Sequence, residues 1–333
     1  MRRLAPPLLC VIVLALTGCT AHTAAGTPTT TRPRASASPT VAPTATPSPL
    51  PPYAIETLRK RPYATGKVEV GAELARGQGY TKRELRWPSG GQTMTGTISL
   101  PDSPGPHPVV VVNHGYIPSD RYWVGQDSGS FGDPMAAHGF ISVAPNWPGY
   151  AGSGAAPPDL PSIVGQVVTM LDLVSELSSS MPDADVNRLS CVGHSNGSGI
   201  CMLAMVVDPR FRAVVLHGPI SSDMADNARK WWMQNGGSQA AGAGSPDQNP
   251  EGYRLLSPRT YFAHGQPPVL IIHGDADQTC PLEWAQATLA ALQAQGVESR
   301  LVSFPGAQHD FAGADLQRAV AIQEDWIRHA LGM

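Results

Sequence analysis

Five apolar runs constrain this chain more than any other feature. They are "PVVVVN" (108–113), "FISVAP" (140–145), "RLSCVG" (188–193), "AVVLHG" (213–218) and "PVLIIHG" (268–274). A strand with one wet face alternates apolar and polar residues, because successive side chains point to opposite faces. These runs do not alternate, so each belongs to a sheet covered on both faces. Helical stretches separate or follow them: Ile163 to Ser179, Ser198 to Val207, Leu282 to Gln295 and Asp315 to Leu331. That order predicts an α/β fold with a mostly parallel, doubly wound sheet. Upstream, "RELRW" and "MTGTISL" do alternate and flank Ser89-Gly90-Gly91, which predicts an antiparallel hairpin at the start. The rhythm breaks over 221–263. That stretch is too long for a plain connection and reads as a small cap or lid. Its Trp231-Trp232 pair fits a pocket wall and core packing equally well.

The N-terminus is of another kind. Arg2-Arg3 precede an apolar run from Leu8 to Leu16, shorter than the ~20 residues a membrane span needs. Residues 1–18 therefore read as an export signal. Leu16-Thr17-Gly18-Cys19 resembles the lipobox of bacterial lipoproteins, which implies cleavage before Cys19 and a lipid on its sulfur. Residues 19–52 are dominated by Thr, Ala, Pro and Ser, a composition that cannot bury enough surface to fold and that proline keeps extended. The expectation is an exported protein, lipid-anchored at the outer face of a bacterial membrane, with its catalytic domain over 53–333. A formal charge of −3 and the lack of Lys/Arg clusters exclude nucleic acid as a partner. Of the remaining cysteines, Cys191 lies in an apolar run and reads as a buried thiol, while an oxidising compartment permits a Cys201–Cys280 bridge. None has metal-ligand spacing.

The chemistry centres on "GHSNG" (193–197). Ser195 follows an apolar strand and precedes a helix, at the carboxyl edge of the sheet where ligands collect. Flanking glycines permit the sharp strand-to-helix turn that exposes a nucleophilic hydroxyl. A serine needs a base, and the base an orienting acid. Asp275-Ala276-Asp277 follows "PVLIIHG", and "VSFPGAQHDF" then places His309 beyond another strand-like run. His114, His194, His217 and His273 stand at strand ends and read as loop-holding residues.

With "GTISLPDSPGPHPVVVVNHGY", "GHSNG", "LLSPRTY", "HGDADQTCP" and "PGAQHDF" in place, the chain from about residue 82 resembles the α/β-hydrolase superfamily, and within it the dienelactone-hydrolase and prolyl-oligopeptidase-like branch. The resemblance implies an eight-stranded, mostly parallel sheet with helices on both faces. It also implies a Ser195–His309–Asp277 triad, with Asp277 rather than Asp275 as the acid. The oxyanion hole it implies is made of the backbone N–H groups of Tyr116 and Asn196. Neither metal nor organic cofactor is required. The region ahead of the first strand is a tether and a short lead-in, not the β-propeller of true prolyl oligopeptidases. Asn196 departs from the bulkier residue of lipases and polyester hydrolases. The expected function is a carboxylesterase acting through an acyl-enzyme, its acyl group held by residues among Tyr116, Tyr122, Trp123, Trp147 and Tyr150. The alternatives are a serine peptidase acting on short peptides and a non-catalytic envelope binding protein.

Overall fold

The computed structural model describes residues 49–63, 66–234, 238–240 and 242–333. The export signal, Cys19 and nearly all of the tether lie outside them. Among the described residues nine strands form one sheet: β1 (Glu69–Gly77), β2 (Tyr80–Ser89), β3 (Gln92–Pro101), β4 (His107–Asn113), β5 (Ile141–Pro145), β6 (Ala184–His194), β7 (Phe211–His217), β8 (Val269–Gly274) and β9 (Ser299–Phe304). Their order is β1-β2-β3-β5-β4-β6-β7-β8-β9. The pairings β1–β2, β2–β3 and β3–β5 are antiparallel and the rest are parallel. The anticipated hairpin is β2–β3, closed at Ser89↔Gln92 around Gly90-Gly91.

Eight α-helices stand among the same residues: α1 (Ile55–Lys60), α2 (Ser128–Ala137), α3 (Ser162–Ser180), α4 (Asn196–Val207), α5 (Met224–Asn227), α6 (Pro250–Leu256), α7 (Leu282–Ala294) and α8 (Gly313–Ala330). The unbroken apolar runs are explained by two cores, one on each face. Val109 and Val111 of β4 join the core containing Val164 and Leu171 of α3 and Leu203 of α4. Val110 and Val112, pointing the other way, join Phe131 and Met135 of α2 and Ile327 of α8.

The sheet has one strand more than the eight expected. The addition includes β1, whose residues are nearly all exposed. It is held by backbone pairing and a bond from Arg83 Nε to the Gly71 carbonyl at 3.0 Å, not by apolar burial, so it carries no apolar alternation to read. Helix α2 also lacks a sequence signal, because Gly129, Gly132 and Pro134 interrupt it. The 221–263 segment forms α5, a π-helical turn at Ala228–Trp232 and α6. Met224, Trp232, Tyr253 and Leu256 anchor it in the main core.

Candidate active site

The site is built from the ends of β4, β6, β7, β8 and β9. Strand β6 ends at His194 and α4 starts at Asn196, leaving Ser195 alone to make the turn, at φ 53° and ψ −117°. A non-glycine residue at positive φ is strained by roughly 1–3 kcal/mol, and such strain gathers at functional sites. A Cβ at Gly193 would overlap the Gly197 carbonyl, and one at Gly197 would overlap that of Asn113. The Ser195 N–H donates to the His217 carbonyl at 2.9 Å, and the Ser198 hydroxyl to that of Gly193 at 2.7 Å.

A disulfide joins Cys191 on β6 to Cys201 on α4 across this turn. The expectation for the cysteines is corrected: Cys191 is not a thiol, and the buried Cys280 is the free one. The elbow folds α4 back along β6 and brings the two Cα atoms to 5.7 Å, within disulfide range. Burial, with the Asp277 charge, raises the Cys280 thiol to about 12, so it stays protonated.

His309 lies between β9 and α8 and meets Asp277, just past β8. Its Nδ1–H donates to Asp277 Oδ2 at 2.7 Å, and the Asp277 side chain is fully buried. Asp277 Oδ1 accepts from the N–H groups of Thr279 and Cys280, at 2.8 and 2.9 Å. Burial alone would raise this carboxyl. The bond from His309, the backbone donors and the His309 charge outweigh it and hold Asp277 below its ordinary value. Asp275 serves a different end. Its Oδ1 accepts from the Gly306 N–H at 2.6 Å and ties two loops together. His273 donates from Nε2 to the Cys280 carbonyl at 3.0 Å.

Gly218 carries weight that its sequence position does not announce. It sits at φ 47°, and a Cβ there would stand 3.2 Å from His309 Nδ1 and 3.4 Å from Asp277 Oδ2. The sequence sign was the "HG" that closes the β7 run.

Ser195 and His309 line the same cavity of about 520 Å³, walled by Tyr116, Ile117, Ile220, Trp231 and Trp232. Trp232 also packs in the core, so both readings of the tryptophan pair hold. No hydrogen bond joins the Ser195 hydroxyl to His309 Nε2 among the described residues. Such bonds often form only in the complex with substrate. Neither the Tyr116 nor the Asn196 N–H has a protein acceptor among the described residues, and both residues line the cavity. The Asn196 side chain donates to Gln166 Oε1 at 3.0 Å, on the border of a second cavity of about 270 Å³ that includes Trp147 and Tyr150.

His114, beneath the Tyr116 loop, is sandwiched between Tyr122 and Trp147 with ring centroids at 4.6 and 4.2 Å. Burial pushes it down to about 4, so it is neutral. Tyr122 therefore braces a loop, and Trp123 is exposed to solvent. His217 Nε2 donates to Gln323 Oε1 at 2.9 Å, and the ring is likewise pushed by burial down to about 4. His194 differs: its Nδ1 donates to Asp127 Oδ2 at 2.9 Å. Nothing in the sequence around Asp127 marks it, because the pairing spans 67 residues.

The chain is 29% identical over 151 residues to "Uncharacterized peptidase YuxL" of Bacillus subtilis, covering 43% of this chain and 22% of that protein. It is 30% identical over 183 residues to dipeptidyl-peptidase 5 of Porphyromonas gingivalis, covering 53% and 26% respectively. The chain thus spans about a quarter of the length of these relatives. In structure it is similar to acetyl xylan esterase 1 from Thermoanaerobacterium, with a TM-score of 0.61, 18% identity, and coverage of 85% of this chain and 95% of that one. The likeness establishes the α/β-hydrolase fold. The sequence model of the prolyl oligopeptidase family matches residues 133–333, more than half of the chain and the part that holds Ser195, Asp277 and His309, so the chain belongs to the prolyl oligopeptidase family.

Proposed function

We propose that the protein is a serine hydrolase that cleaves neutral carboxylic esters through an acyl-enzyme. The observation that carries this reading is the strained Ser195 on its elbow, facing the same cavity as the His309–Asp277 pair. In the productive complex the Ser195 hydroxyl donates to His309 Nε2. His309 takes the proton as the oxygen attacks the substrate carbonyl, and Asp277 stabilises the imidazolium that forms. The N–H groups of Tyr116 and Asn196 hold the oxyanion, and losing one such donor typically costs ~2.7–4 kcal/mol. His309 then protonates the departing alkoxide, and water repeats the sequence on the acyl-enzyme. This chain supplies every group these steps use, without metal or cofactor.

The cavity favours an ester of an uncharged acid. Its walls are largely apolar and aromatic, no Lys or Arg lines it among the described residues, and the lining His194 is already paired with Asp127, so no free cation is offered to a carboxylate. The fold-level match to acetyl xylan esterase 1 over nearly that protein's whole length points the same way. The peptidase reading is supported by the family itself, by the names of the relatives near 30% identity and by fold-level likeness to an acylaminoacyl peptidase. Initial rates on p-nitrophenyl acetate and butyrate against aminoacyl-p-nitroanilides, with Ser195→Ala as control, separate the two. Ester turnover that is lost in Ser195→Ala supports the reading. Faster anilide turnover transfers the protein to the peptidases, and inactivity on both reopens the non-catalytic binding role.

The same reading holds the enzyme at the outer face of a membrane through a lipid on Cys19, at the end of the proline-rich tether. Cys19→Ala then moves the protein from the membrane to the soluble fraction. Unchanged partitioning refutes the anchor.

A further inference from the structure

We infer that Asp127 and His194 form a fixed ion pair that positions the oxyanion loop against the nucleophile elbow. The inference rests on the hydrolase reading above and assigns two positioning residues to that site. Asp127 directly precedes α2, at φ 65° and ψ −60°, a conformation that non-glycine residues rarely adopt. Its Oδ2 accepts from the Gly115 N–H at 2.6 Å and from His194 Nδ1 at 2.9 Å. Gly115 is the residue before Tyr116, and His194 is the residue before Ser195. One carboxylate oxygen therefore pins both halves of the oxyanion hole, the loop that ends in the Tyr116 amide and the elbow that ends in the Asn196 amide. A donor displaced by a fraction of an ångström stabilises the transition state less, so such a pin bears on turnover more than on substrate binding.

The second ring nitrogen of His194 is also directed at acceptors. Nε2 donates to the His309 carbonyl at 3.3 Å and lies 3.7 Å from Asp310 Oδ1. With both nitrogens donating, the ring is an imidazolium. It is buried, and its centroid is 4.9 Å from that of His309. His194 thus links elbow, oxyanion loop and the His309 backbone. The charged and titratable groups around it are Asp127 from the loop before α2, Asp310 and His309 from the loop after β9, the neutral His217 of β7 and the neutral His114 past β4. Burial would lower His194, but the Asp127 charge and hydrogen bond, followed by Asp310 and the His309 carbonyl, raise it to about 9. Against its own burial, Asp127 is held below its ordinary value by His194 and the Gly115 N–H.

The test measures kcat and KM for p-nitrophenyl acetate from pH 6 to 10 in the full chain, Asp127→Asn and His194→Gln. It adds ring-nitrogen NMR of the histidines in the wild type at pH 7.5, with His194→Gln supplying the assignment. Asp127→Asn is expected to lower kcat about 10- to 100-fold with KM within about threefold, less than the 10²–10³-fold of deleting an oxyanion donor outright. The wild-type rate is expected to fall above about pH 9, as His194 loses its proton, and the alkaline limb in Asp127→Asn to begin at least one pH unit lower. His194 in the wild type is expected to carry protons on both nitrogens. A neutral His194 at pH 7.5 overturns the inference, whether or not Asp127→Asn folds. So does an active wild type whose Asp127→Asn variant keeps the same pH profile or loses kcat and KM alike. A wild type that turns over no ester refutes the hydrolase reading instead, and the NMR result still decides the ion pair.

Discussion

Replacing Asp277 by Asn keeps the size of the side chain and inverts the proton pattern of the site. In the wild type Asp277 Oδ1 is fixed by two backbone donors, at 2.8 and 2.9 Å, which leaves Oδ2 for His309 Nδ1–H. In Asp277→Asn the amide oxygen keeps the backbone donors, so the NH₂ group must face His309. Nδ1 then becomes an acceptor, the ring proton moves to Nε2, and the nitrogen that should take the Ser195 proton already carries one. Two losses combine. A carboxylate no longer stabilises the imidazolium, worth about 4 kcal/mol for charges about 4 Å apart at an effective dielectric of about 20. Restoring the productive tautomer then costs a further hydrogen bond, about 1–1.5 kcal/mol. Together they predict a loss of about 10⁴-fold in kcat, at about 1.36 kcal/mol per decade. Asp275→Asn still accepts from the Gly306 N–H through its amide oxygen and is expected to stay within about threefold of wild type. Steady-state rates on p-nitrophenyl acetate, with active serines counted by fluorophosphonate labelling, decide the matter. If Asp277→Asn kept more than a tenth of the wild-type kcat, or Asp275→Asn fell further than it, the triad reasoning would be refuted.

Two further outcomes follow from the packing. The Cys191–Cys201 bridge closes a ten-residue stretch around the nucleophile, and the loop-entropy relation gives it about 2.7 kcal/mol. Cys191→Ala/Cys201→Ala is therefore expected to melt about 5 °C lower by calorimetry and to react more slowly with fluorophosphonate; an unchanged melting temperature would remove the bridge from the elbow's support. Burial, reinforced by the Asp172 charge, raises Glu176 of α3 to about 7. The folded state then holds a proton that the unfolded chain releases, so wild-type stability is lost as pH rises from about 4.5 through 7. Glu176→Gln is expected to gain on wild type in melting temperature between pH 5 and 8, and a gain that is flat with pH would contradict this account.

What the sequence determined by itself is whatever a local pattern encodes. The parallel strands were legible because burial on both faces of a sheet writes an unbroken apolar run; α7 and α8 because burial on one face of a helix writes a period, and α3 and α4 as longer apolar stretches between strands. Ser195 and its glycines were legible because the elbow is made within five consecutive residues. The order of Asp277 and His309 was readable because each follows its own strand. Strand β1 and helix α2 were not, the one burying nothing and the other broken by glycine and proline. Only the tertiary structure decided which cysteines meet, since the return of α4 along β6 fixes that distance. It alone brought Asp127 to His194, gave Gly218 its place against His309 and Asp277, and turned Trp231 and Trp232 to the cavity. These contacts join residues far apart in the chain through strands that cross over in the sheet. No local pattern records a distance that the packing of the whole sheet sets.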